Sequence, residues 1–266
     1  MIDRFCEIIN EYKTFSQVKA IAVGGSSSAK TSDNMSDIDV YVFVEHDIPR
    51  SDRERLVKKY STKYEVGGEY FGSGDEFFAD DIGQQLDVMF WNIVWFEETV
   101  ANIWDKHYSS NGYTTCFLYT LKNFRIEYDK NGWLKNLQNK LNTPYPKELK
   151  ENIIKRNMML MKDKPFASYY EQIEKAVKRG DENSINHRIS AFIASYFDVI
   201  FALNELLHPG EKRLVSFALN NCKILPQDFE KNISNLFNNA KTNADKLGFL
   251  NTLIENLRKI LEEASL

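Results

Sequence analysis

The stretch that decides the fold is VGGSSS at residues 23–28, followed by SDIDVYV at residues 36–42. The apolar run that ends at Val23 predicts a strand, and Gly24 and Gly25 allow the backbone to turn sharply after it. Main-chain amides at such a turn can approach a phosphate closely. A Gly-Gly-Ser turn taken alone is a weak signal, because most such turns hold no ligand.

Asp37 and Asp39 lie two residues apart on the second predicted strand, which is rich in β-branched and aromatic residues. Alternation along a strand places both carboxylates on one face, with their Cα atoms about 7 Å apart. Ile38, Val40 and Val42 then turn to the opposite, buried face. Two adjacent carboxylates repel each other unless a cation lies between them, and hard oxygen ligands suit Mg²⁺. The alternative is a solvated strand end, which is the commoner meaning of two such acids alone.

A third acid, Asp87, lies inside the apolar sequence QQLDVMFW at residues 84–91, which predicts another strand. Burying a single acid in such a strand is costly unless the acid is paired or binds a metal. If this strand lies beside that of Asp37 and Asp39, three carboxylates converge into a two-metal site for phosphoryl transfer. The alternative is that Asp87 points to solvent from a strand face.

The distribution of glycine and of helical periodicity divides the chain near residue 110. The expected fold class is α+β: a small α/β domain with a mixed sheet at residues 1–110, followed by an all-α helical bundle at residues 111–266. The helices of the second part are predicted near residues 114–127, 131–141, 147–162, 166–179, 183–207, 211–221, 227–239 and 243–264.

Charge is distributed unevenly over the 266 residues, whose formal net charge is −4. Residues 1–110 contain 11 Lys and Arg against 20 Asp and Glu, whereas residues 111–266 contain 23 against 18. This asymmetry fits an acidic part that binds cations and a basic part that could face an anion. Two ordinary solvated surfaces would give the same counts.

Composition argues against several classes of protein. The chain has no apolar run near the roughly 18 residues that a membrane span needs, and its amphipathic, acidic start is unlike a targeting peptide. Cys6, Cys116 and Cys222 are far apart and odd in number. We therefore expect no disulfide framework and a reducing, cytoplasmic location. No cysteine or histidine spacing in the sequence suggests zinc.

Taken together, the Gly-Ser turn, the S-D-x-D sequence at residues 36–39 and the later acid resemble the signature of the DNA polymerase beta-like nucleotidyltransferase superfamily. The length and the trailing helices resemble the bacterial nucleotidyltransferases that act on lincosamide and aminoglycoside antibiotics. The whole chain is also similar to an uncharacterised bacterial family with this domain ahead of a C-terminal helical domain. Four sequences carry that last resemblance: GYTTC at residues 112–116, HR at 187–188, ASYFD at 194–198 and HPGEKRL at 208–214.

The superfamily resemblance implies a role for each part of the pattern. Gly24, Gly25, Ser26 and Ser27 would bind the nucleoside triphosphate. The first two acids would bind Mg²⁺, with two metal ions expected, and the third acid would be a further ligand or the general base. Many relatives have arginine or glycine where this chain has Ser27 to Lys30, and Lys30 would contact phosphate only as a point charge.

Two further cations, Lys212 and Arg213, lie at a predicted helix start. Main-chain amides at a helix N-terminus favour anions, and cations there strengthen the effect, so both residues are candidates for binding the triphosphate or the substrate. The alternative is an exposed helix start with no ligand. Asp198, within the apolar sequence AFIASYFDVIFAL, is expected to pair with a cation such as Arg188 or Lys212.

The resulting hypothesis is an enzyme that transfers a nucleoside monophosphate from a nucleoside triphosphate to a hydroxyl of a small-molecule acceptor, releasing pyrophosphate. Its general base would be Asp87 or a glutamate of the second part, for which Glu127 is a guess. The alternatives are nucleotidylation of a protein or RNA, a non-catalytic nucleotide-binding or antitoxin-type module, and a helical scaffold without a ligand. The net charge argues against long nucleic acid, and the three retained acids argue against a degenerate site. The sequence indicates neither the acceptor nor the oligomeric state.

Overall fold

The computed structural model describes four stretches of the chain: residues 2–25, 37–70, 72–164 and 166–266. The chain forms two compact units. The first comprises Met1–Ala101 and Thr120–Thr143, and the second comprises Asn102–Tyr119 and Pro144–Leu266. The domain limits that the sequence suggested near residue 110 stay a prediction.

The first unit is built on a six-stranded sheet flanked by helices. Its strands are β1 (Val18–Val23), β2 (Ile38–Val44), β3 (Lys63–Gly68), β4 (Gly74–Ala79), β5 (Gln84–Asn92) and β6 (Arg125–Asp129). The helices in this part of the sequence are α1 (Ile2–Lys13), α2 (Arg50–Val57), α3 (Ile93–Trp104), α4 (Cys116–Asn123) and α5 (Trp133–Lys140).

The strand order is β3-β4-β5-β2-β1-β6. Strands β2 and β5 run parallel, whereas every other neighbouring pair is antiparallel. A mixed sheet in the first unit, together with a helical second unit, confirms the α+β fold class. The parallel pair matters most for function, because β2 carries Asp39 and β5 carries Asp87.

One face of the sheet packs against α1 and α2 and forms an apolar core. Val40 and Val42 have no exposed surface, as the alternation along β2 predicted, and they share this core with Ile8, Tyr12 and Leu56. Each fully buried side chain of this kind contributes roughly 1.5–3 kcal/mol. A slip of one residue would turn the whole apolar set outward, so this core fixes which residues face the opposite side of the sheet.

The same core contains a buried ion pair. The Arg53 guanidinium donates to Oδ1 of Asp75 at 2.7 Å, and the Gly67 N–H donates to the same oxygen at 2.9 Å. Arg53 also lies over the Phe90 ring, 4.6 Å from its centroid. Burial raises the pKa of the Asp75 carboxyl to about 6, and the charge of Arg53 opposes that rise. The pair satisfies two charges that the apolar core would otherwise exclude.

Residues 125–129 form a strand, so the helix predicted over 114–127 was wrong at its C-terminal end. Helix α4 ends at Asn123, and β6 then pairs antiparallel with β1, placing Ala22 opposite Ile126. The sequence RIEYD is too short for its alternation to stand out from the helical pattern around it. Pairing with a distant strand decides its conformation, because tertiary context overrides weak local propensity.

The second unit is helical. Its remaining elements are α6 (Lys147–Met158) with a π-helical continuation (Met159–Asp163), α7 (Tyr169–Arg179), α8 (Glu182–Leu203), α9 (Leu214–Asn221), α10 (Phe229–Ser234) with a π-helical continuation (Asn235–Asn239), and α11 (Asn243–Glu263). Helix α8 is central and packs against α6 and α7. Among the described helices, none combines the length and the apolarity that crossing a membrane requires.

Two predicted helix limits between α8 and α9 were wrong. Helix α8 was expected to continue to about residue 207 but ends at Leu203, and α9 was expected from residue 211 but begins at Leu214. Glu205 and Arg213 both have a φ of 56°. A non-glycine residue in this left-handed region cannot continue a right-handed helix, so these residues bound an irregular connection.

Candidate active site

Four carboxylates form a row across the first unit's sheet, on the face opposite the apolar core. Asp39 of β2 is the ladder partner of Asp87 on β5, which is also the partner of Glu76 on β4. Glu76 is in turn the partner of Glu65 on β3. Side chains of ladder partners project from the same face and lie next to one another. The structure therefore brings Asp39 and Asp87 together, and it adds two acids that the sequence analysis missed.

This row lines a cavity of about 460 Å³. The cavity size falls in the range of small-molecule sites in proteins. All its lining residues belong to the first unit: Asp39, Glu65, Gly68, Tyr70, Gly72, Gly74, Asp75, Glu76, Asp87, Val88 and Met89. The side chains of Asp39 and Asp87 are half-buried, so they face the cavity without losing contact with solvent.

Asp37 is exposed and immediately precedes β2. Burial raises the pKa of the Glu76 carboxyl, and the negative charges of Asp87, Glu65 and Asp37 raise it further. Two of the three predicted acids, Asp37 and Asp87, thus act on the same carboxyl group. Among the described residues, no group of three or more His, Cys, Asp or Glu side chains is already arranged to hold a metal ion. The three-acid metal site therefore stays a prediction.

The turn after β1 is built around the carboxylate of Asp39. Gly25 has a φ of 64°, and a Cβ atom added there would lie 1.7 Å from Oδ2 of Asp39. Gly24 donates its N–H to the main-chain oxygen of Asp39 at 3.0 Å, and a Cβ atom at Gly24 would lie 2.6 Å from Cε2 of Tyr41. Only glycine fits both positions without displacing a neighbour. Ser26, Ser27 and Lys30 lie outside the described residues.

Gln85 is a further polar residue that the sequence analysis passed over. Its side-chain amide donates to Oδ1 of Asp87 at 2.8 Å. The spacing Gln85-x-Asp87 on a strand was the available signal, because residues two apart project from one face. Glu65 and Glu76 gave a weaker signal, because a glycine-rich sequence without clear strand alternation lies between them.

Aromatic rings fill the sheet face beyond the acids. Tyr41 lies 4.7 Å from Trp91 and 4.8 Å from Phe124, measured between ring centroids. Burial raises the pKa of the Tyr41 hydroxyl, and the charge of Asp39 adds to the effect. Trp91 therefore packs within an aromatic layer, whereas Trp95 remains 44% exposed.

Six of the described candidate residues are absent from the cavity lining: Gly24, Gly25, Asp37, Glu127, Lys212 and Arg213. Glu127 is in β6, half-buried, 3.1 Å from the guanidinium of Arg125. Lys212 and Arg213 are exposed residues of the second unit, ahead of α9. Arg213 is the residue before the first turn of that helix and has a left-handed backbone, so the helix begins after both cations and not at residue 211. Their binding role stays a prediction.

The second unit contains an enclosed polar cluster around Asp198 of α8. The Thr114 hydroxyl donates to Oδ2 of Asp198 at 2.6 Å, its main-chain N–H donates to Oδ1 at 3.1 Å, and the Asn157 amide donates to Oδ2 at 3.1 Å. Burial raises the pKa of the Asp198 carboxyl to about 6, partly opposed by these bonds. The expected pairing with Arg188 or Lys212 was wrong, because neutral donors supply the hydrogen bonds.

Three of the four short sequences noted above meet at this cluster. Thr114 binds Asp198, and the adjacent Thr115 hydroxyl accepts the main-chain N–H of His208 at 2.8 Å. His208 is fully buried, and burial lowers the pKa of its imidazole to about 4. Gly112 has a φ of 83°, and a Cβ atom there would lie 2.8 Å from Cβ of Ala194. These sequences therefore share a packing role inside the helical unit.

Two family models match the chain. Residues 5–106 match the nucleotidyltransferase domain, and residues 114–214 match a domain of unknown function, DUF4037. The chain thus carries a nucleotidyltransferase domain, as the resemblance implied, and the protein is an enzyme of the nucleotidyltransferase class. The acidic row and the glycine turn lie within the first match, and the Asp198 cluster lies within the second. No curated protein sequence is significantly similar to the chain.

Several solved structures are similar at low identity. A nucleotidyltransferase-like protein from Exiguobacterium sibiricum is 10% identical, with a TM-score of 0.48 over 97% of this chain and 73% of that one. Spectinomycin adenyltransferase from Enterococcus faecialis, solved with ATP and spectinomycin, is 16% identical, with a TM-score of 0.28 over 95% and 98%. The CdnE cyclic dinucleotide synthase of Elizabethkingia meningoseptica is 13% identical, with a TM-score of 0.32 over 96% and 91%. At these scores the likeness carries no inference about substrate.

Proposed function

We propose that the protein transfers a nucleoside monophosphate from a nucleoside triphosphate to a hydroxyl of a small-molecule acceptor, releasing pyrophosphate. Asp37, Asp39 and Asp87 would hold Mg²⁺ for this reaction. The observation that carries the proposal is the ladder pairing of Asp39 with Asp87 on the wall of a cavity of about 460 Å³. The nucleotidyltransferase match over residues 5–106 supports it independently.

The donor atoms fit Mg²⁺. This ion prefers carboxylate oxygens and usually takes only one or two protein carboxylates, the remaining positions being filled by water and by substrate phosphates. Adjacent strand carboxylates at Asp39 and Asp87 offer such a partial set, and the glycine at position 25 avoids a Cβ atom that would lie 1.7 Å from Oδ2 of Asp39. When bound, the ion neutralises charge on the transferring phosphate.

The residues of the chain would divide the remaining work. We assign binding of the triphosphate to the glycine turn at Gly24 and Gly25, and we extend this role to Ser26, Ser27, Lys30, Lys212 and Arg213. In the reaction the acceptor oxygen forms a bond to the α-phosphorus while the bond to the β-phosphate oxygen breaks. Pyrophosphate leaves with that oxygen, and the acceptor proton passes to a carboxylate of the row, for which we favour Asp87.

The charge of the cavity favours a small acceptor. Asp39, Asp87, Glu76 and Glu65 all line it, so a polyanion such as RNA would meet a field of its own sign. A compact neutral or cationic molecule would not be repelled by this field. We also infer a cytoplasmic location, because none of the three cysteines, all of which are described, forms a disulfide, which fits a reducing compartment.

The test is an acceptor screen with Mg²⁺ and with ATP or GTP labelled at the α-phosphate. We expect label to move to a hydroxyl-bearing small molecule, with one pyrophosphate released per transfer. The Asp39→Asn variant, which has the same size and lacks the charge, is the control for contaminating activity. Label moving only to RNA or to protein, or no pyrophosphate release with any acceptor, would contradict the proposal.

A further inference from the structure

Gln85 lies two residues before Asp87 on β5, so both side chains project from the cavity face. Its Nε2 atom donates to Oδ1 of Asp87 at 2.8 Å. An amide nitrogen is a neutral donor and cannot itself bind a cation. The contact therefore acts on the carboxylate of Asp87 and leaves the charge of the site unchanged.

Two of the neighbours of Gln85 are acidic: Asp87 on the same strand and Asp37 on the β2 side. Leu86 pairs with Ile38 across the parallel ladder, so the residues that precede them, Gln85 and Asp37, come at neighbouring positions. On the other side, Gln85 pairs with Phe78 of β4, an apolar neighbour. Gln85 thus has two of the proposed metal ligands as neighbours: Asp37 lies across the ladder, and Asp87 lies two residues further along β5. Its side-chain amide places a neutral donor beside both carboxylates.

Asp87 itself has a carboxylate on each flank, since its ladder partners are Asp39 and Glu76. Like charges at these positions repel, which favours rotation of the Asp87 side chain away from its neighbours. A carboxylate offers about four lone pairs on its two oxygens. The side-chain amide of Gln85 donates to one of the lone pairs on Oδ1. This hydrogen bond opposes that rotation and leaves Oδ2 available to a ligand in the cavity.

We propose that Gln85 is a positioning residue of the nucleotidyl-transfer site: it fixes the carboxylate of Asp87 with Oδ1 engaged and Oδ2 presented to the metal. This inference rests on the proposed function. Groups that hydrogen-bond to ligating carboxylates typically change metal affinity or activity about 10–100-fold when they are removed. The effect of Gln85 is expected within that range.

The experiment compares Gln85→Met with Gln84→Met. Both remove a side-chain amide at nearly constant length, but Gln84 is one residue away along the strand and projects from the opposite face. Binding of Mn²⁺ in the presence of a non-hydrolysable ATP analogue is followed by electron paramagnetic resonance. We expect Gln85→Met to weaken Mn²⁺ binding about tenfold. The control should stay within about twofold of wild type, and the melting temperatures of both variants should stay close to it.

Kinetics and a double variant separate positioning from a general loss of structure. In pyrophosphate release, Gln85→Met should lower kcat about tenfold and leave the KM for ATP within about twofold, because the nucleotide still binds through the glycine turn. In an Asp87→Asn background, Gln85→Met should have no further effect on Mn²⁺ binding, since the group that it positions is gone. Additive losses would overturn the proposal. Gln85→Leu is a second variant without the donor, for use if the methionine variant folds poorly.

Failure of this inference differs from failure of the proposed function. A wild-type protein that neither binds Mn²⁺ with the analogue nor releases pyrophosphate overturns both. Only the role of Gln85 is overturned by a second pattern. In that pattern wild type does both, Asp87→Asn weakens both measurably, and Gln85→Met is indistinguishable from Gln84→Met.

Discussion

The two units of the molecule hold their notable acids in opposite ways. In the first unit, Asp39 and Asp87 stand side by side on a cavity wall, with further carboxylates next to them. In the second unit, Asp198 is enclosed in the helical core and receives three hydrogen bonds from Thr114 and Asn157. The first arrangement crowds like charges in reach of solvent, and the second surrounds one carboxylate with neutral donors.

This difference separates a functional from a structural use of the same chemical group. Crowded carboxylates destabilise the unliganded protein through repulsion, so they are useful only if a cation or substrate binds there. A carboxylate whose hydrogen bonds are satisfied inside the core helps to specify the fold and is not available to bind a ligand. Substitution of the acids on the sheet of the first unit should therefore lower activity, whereas substitution in the Asp198 cluster should lower stability.

The largest effect is expected from removing charge on the cavity wall. Asp39→Asn should reduce pyrophosphate release by about a thousandfold or more, the scale on which loss of a charged stabilising group slows phosphoryl transfer. The melting temperature should stay close to that of wild type, because volume is conserved and a repulsion is relieved. Asp37→Asn should behave in the same way. Turnover near the wild-type rate in both variants would remove these acids from the site.

The opposite pattern is expected in the helical unit. Asp198→Ala leaves the Thr114 N–H, the Thr114 hydroxyl and the Asn157 amide without their shared acceptor. The Asn157 amide keeps its hydrogen bonds to the main-chain oxygens of Ser110 and Ile153. The two Thr114 donors cost about 1–3 kcal/mol each, so the free energy of unfolding should fall by about 2–6 kcal/mol in denaturant titrations. Thr114→Val, which removes one donor, should cost less. A variant at position 198 as stable as wild type would show that the cluster is not structural.

The pH dependence of stability should also report on Asp198. Its folded-state pKa of about 6 lies above the ordinary value of 3.8, so the folded protein binds more protons between these pH values. Its contribution to the free energy of unfolding therefore falls as the pH rises from about 4 to 6. Relative to wild type, Asp198→Asn should gain about 3 kcal/mol over this range, because a tenfold change in acidity constant corresponds to about 1.4 kcal/mol.

Urea titrations of both proteins at pH 4 and pH 7 measure this change. Asp75, whose pKa is also raised to about 6, and His208, whose pKa is lowered to about 4, titrate in both proteins and cancel in the difference. Parallel pH profiles for wild type and Asp198→Asn would contradict the assignment of a raised pKa to Asp198.

A smaller effect is expected at the glycine turn. Gly25→Ala places a methyl group against the carboxylate of Asp39 and a side chain on a left-handed backbone, which by itself costs roughly 1–2 kcal/mol. Gly83→Ala is the matched control, because Gly83 has a φ of 73° and no atom within 4 Å of the added Cβ. Gly83→Ala should lose only the stability that the backbone conformation costs, and Gly25→Ala should lose more, because its methyl group also meets the carboxylate of Asp39. Only Gly25→Ala should also weaken ATP binding in a titration, and equal ATP affinities would exclude the turn from the site.

Local pattern was enough to predict the two strands that carry the acids. Alternation along β2 correctly separated the buried Val40 and Val42 from Asp39, and the apolar run around Asp87 correctly indicated β5. The sequence did not predict which residue of β5 would face Asp39. That register is set by pairing between two strands whose facing residues, Asp39 and Asp87, lie 48 positions apart along the chain.

The features that the sequence analysis missed depend on contacts between distant residues. Strand β6 exists because it pairs with β1, about a hundred residues earlier. Asp198 bonds to Thr114, and the two residues are 84 positions apart. Glu76 becomes part of the acidic row only when β4 pairs with β5. Local propensity does not predict these contacts. A strand or helix pattern indicates which face of that element is polar, but it does not indicate which other element packs against it.

The central claim is that the acids of the cavity wall form a site for Mg²⁺ and nucleotide, and thermal melts of wild type and Asp87→Asn test it most directly. Without ligand, the variant should be as stable as wild type or slightly more stable, because one repelling charge is gone. Mg²⁺ with ATP at a hundredfold excess over the dissociation constant should stabilise wild type by about 2.7 kcal/mol, and the variant much less. An unliganded variant that is clearly destabilised, yet responds fully to Mg²⁺ and ATP, would contradict the account.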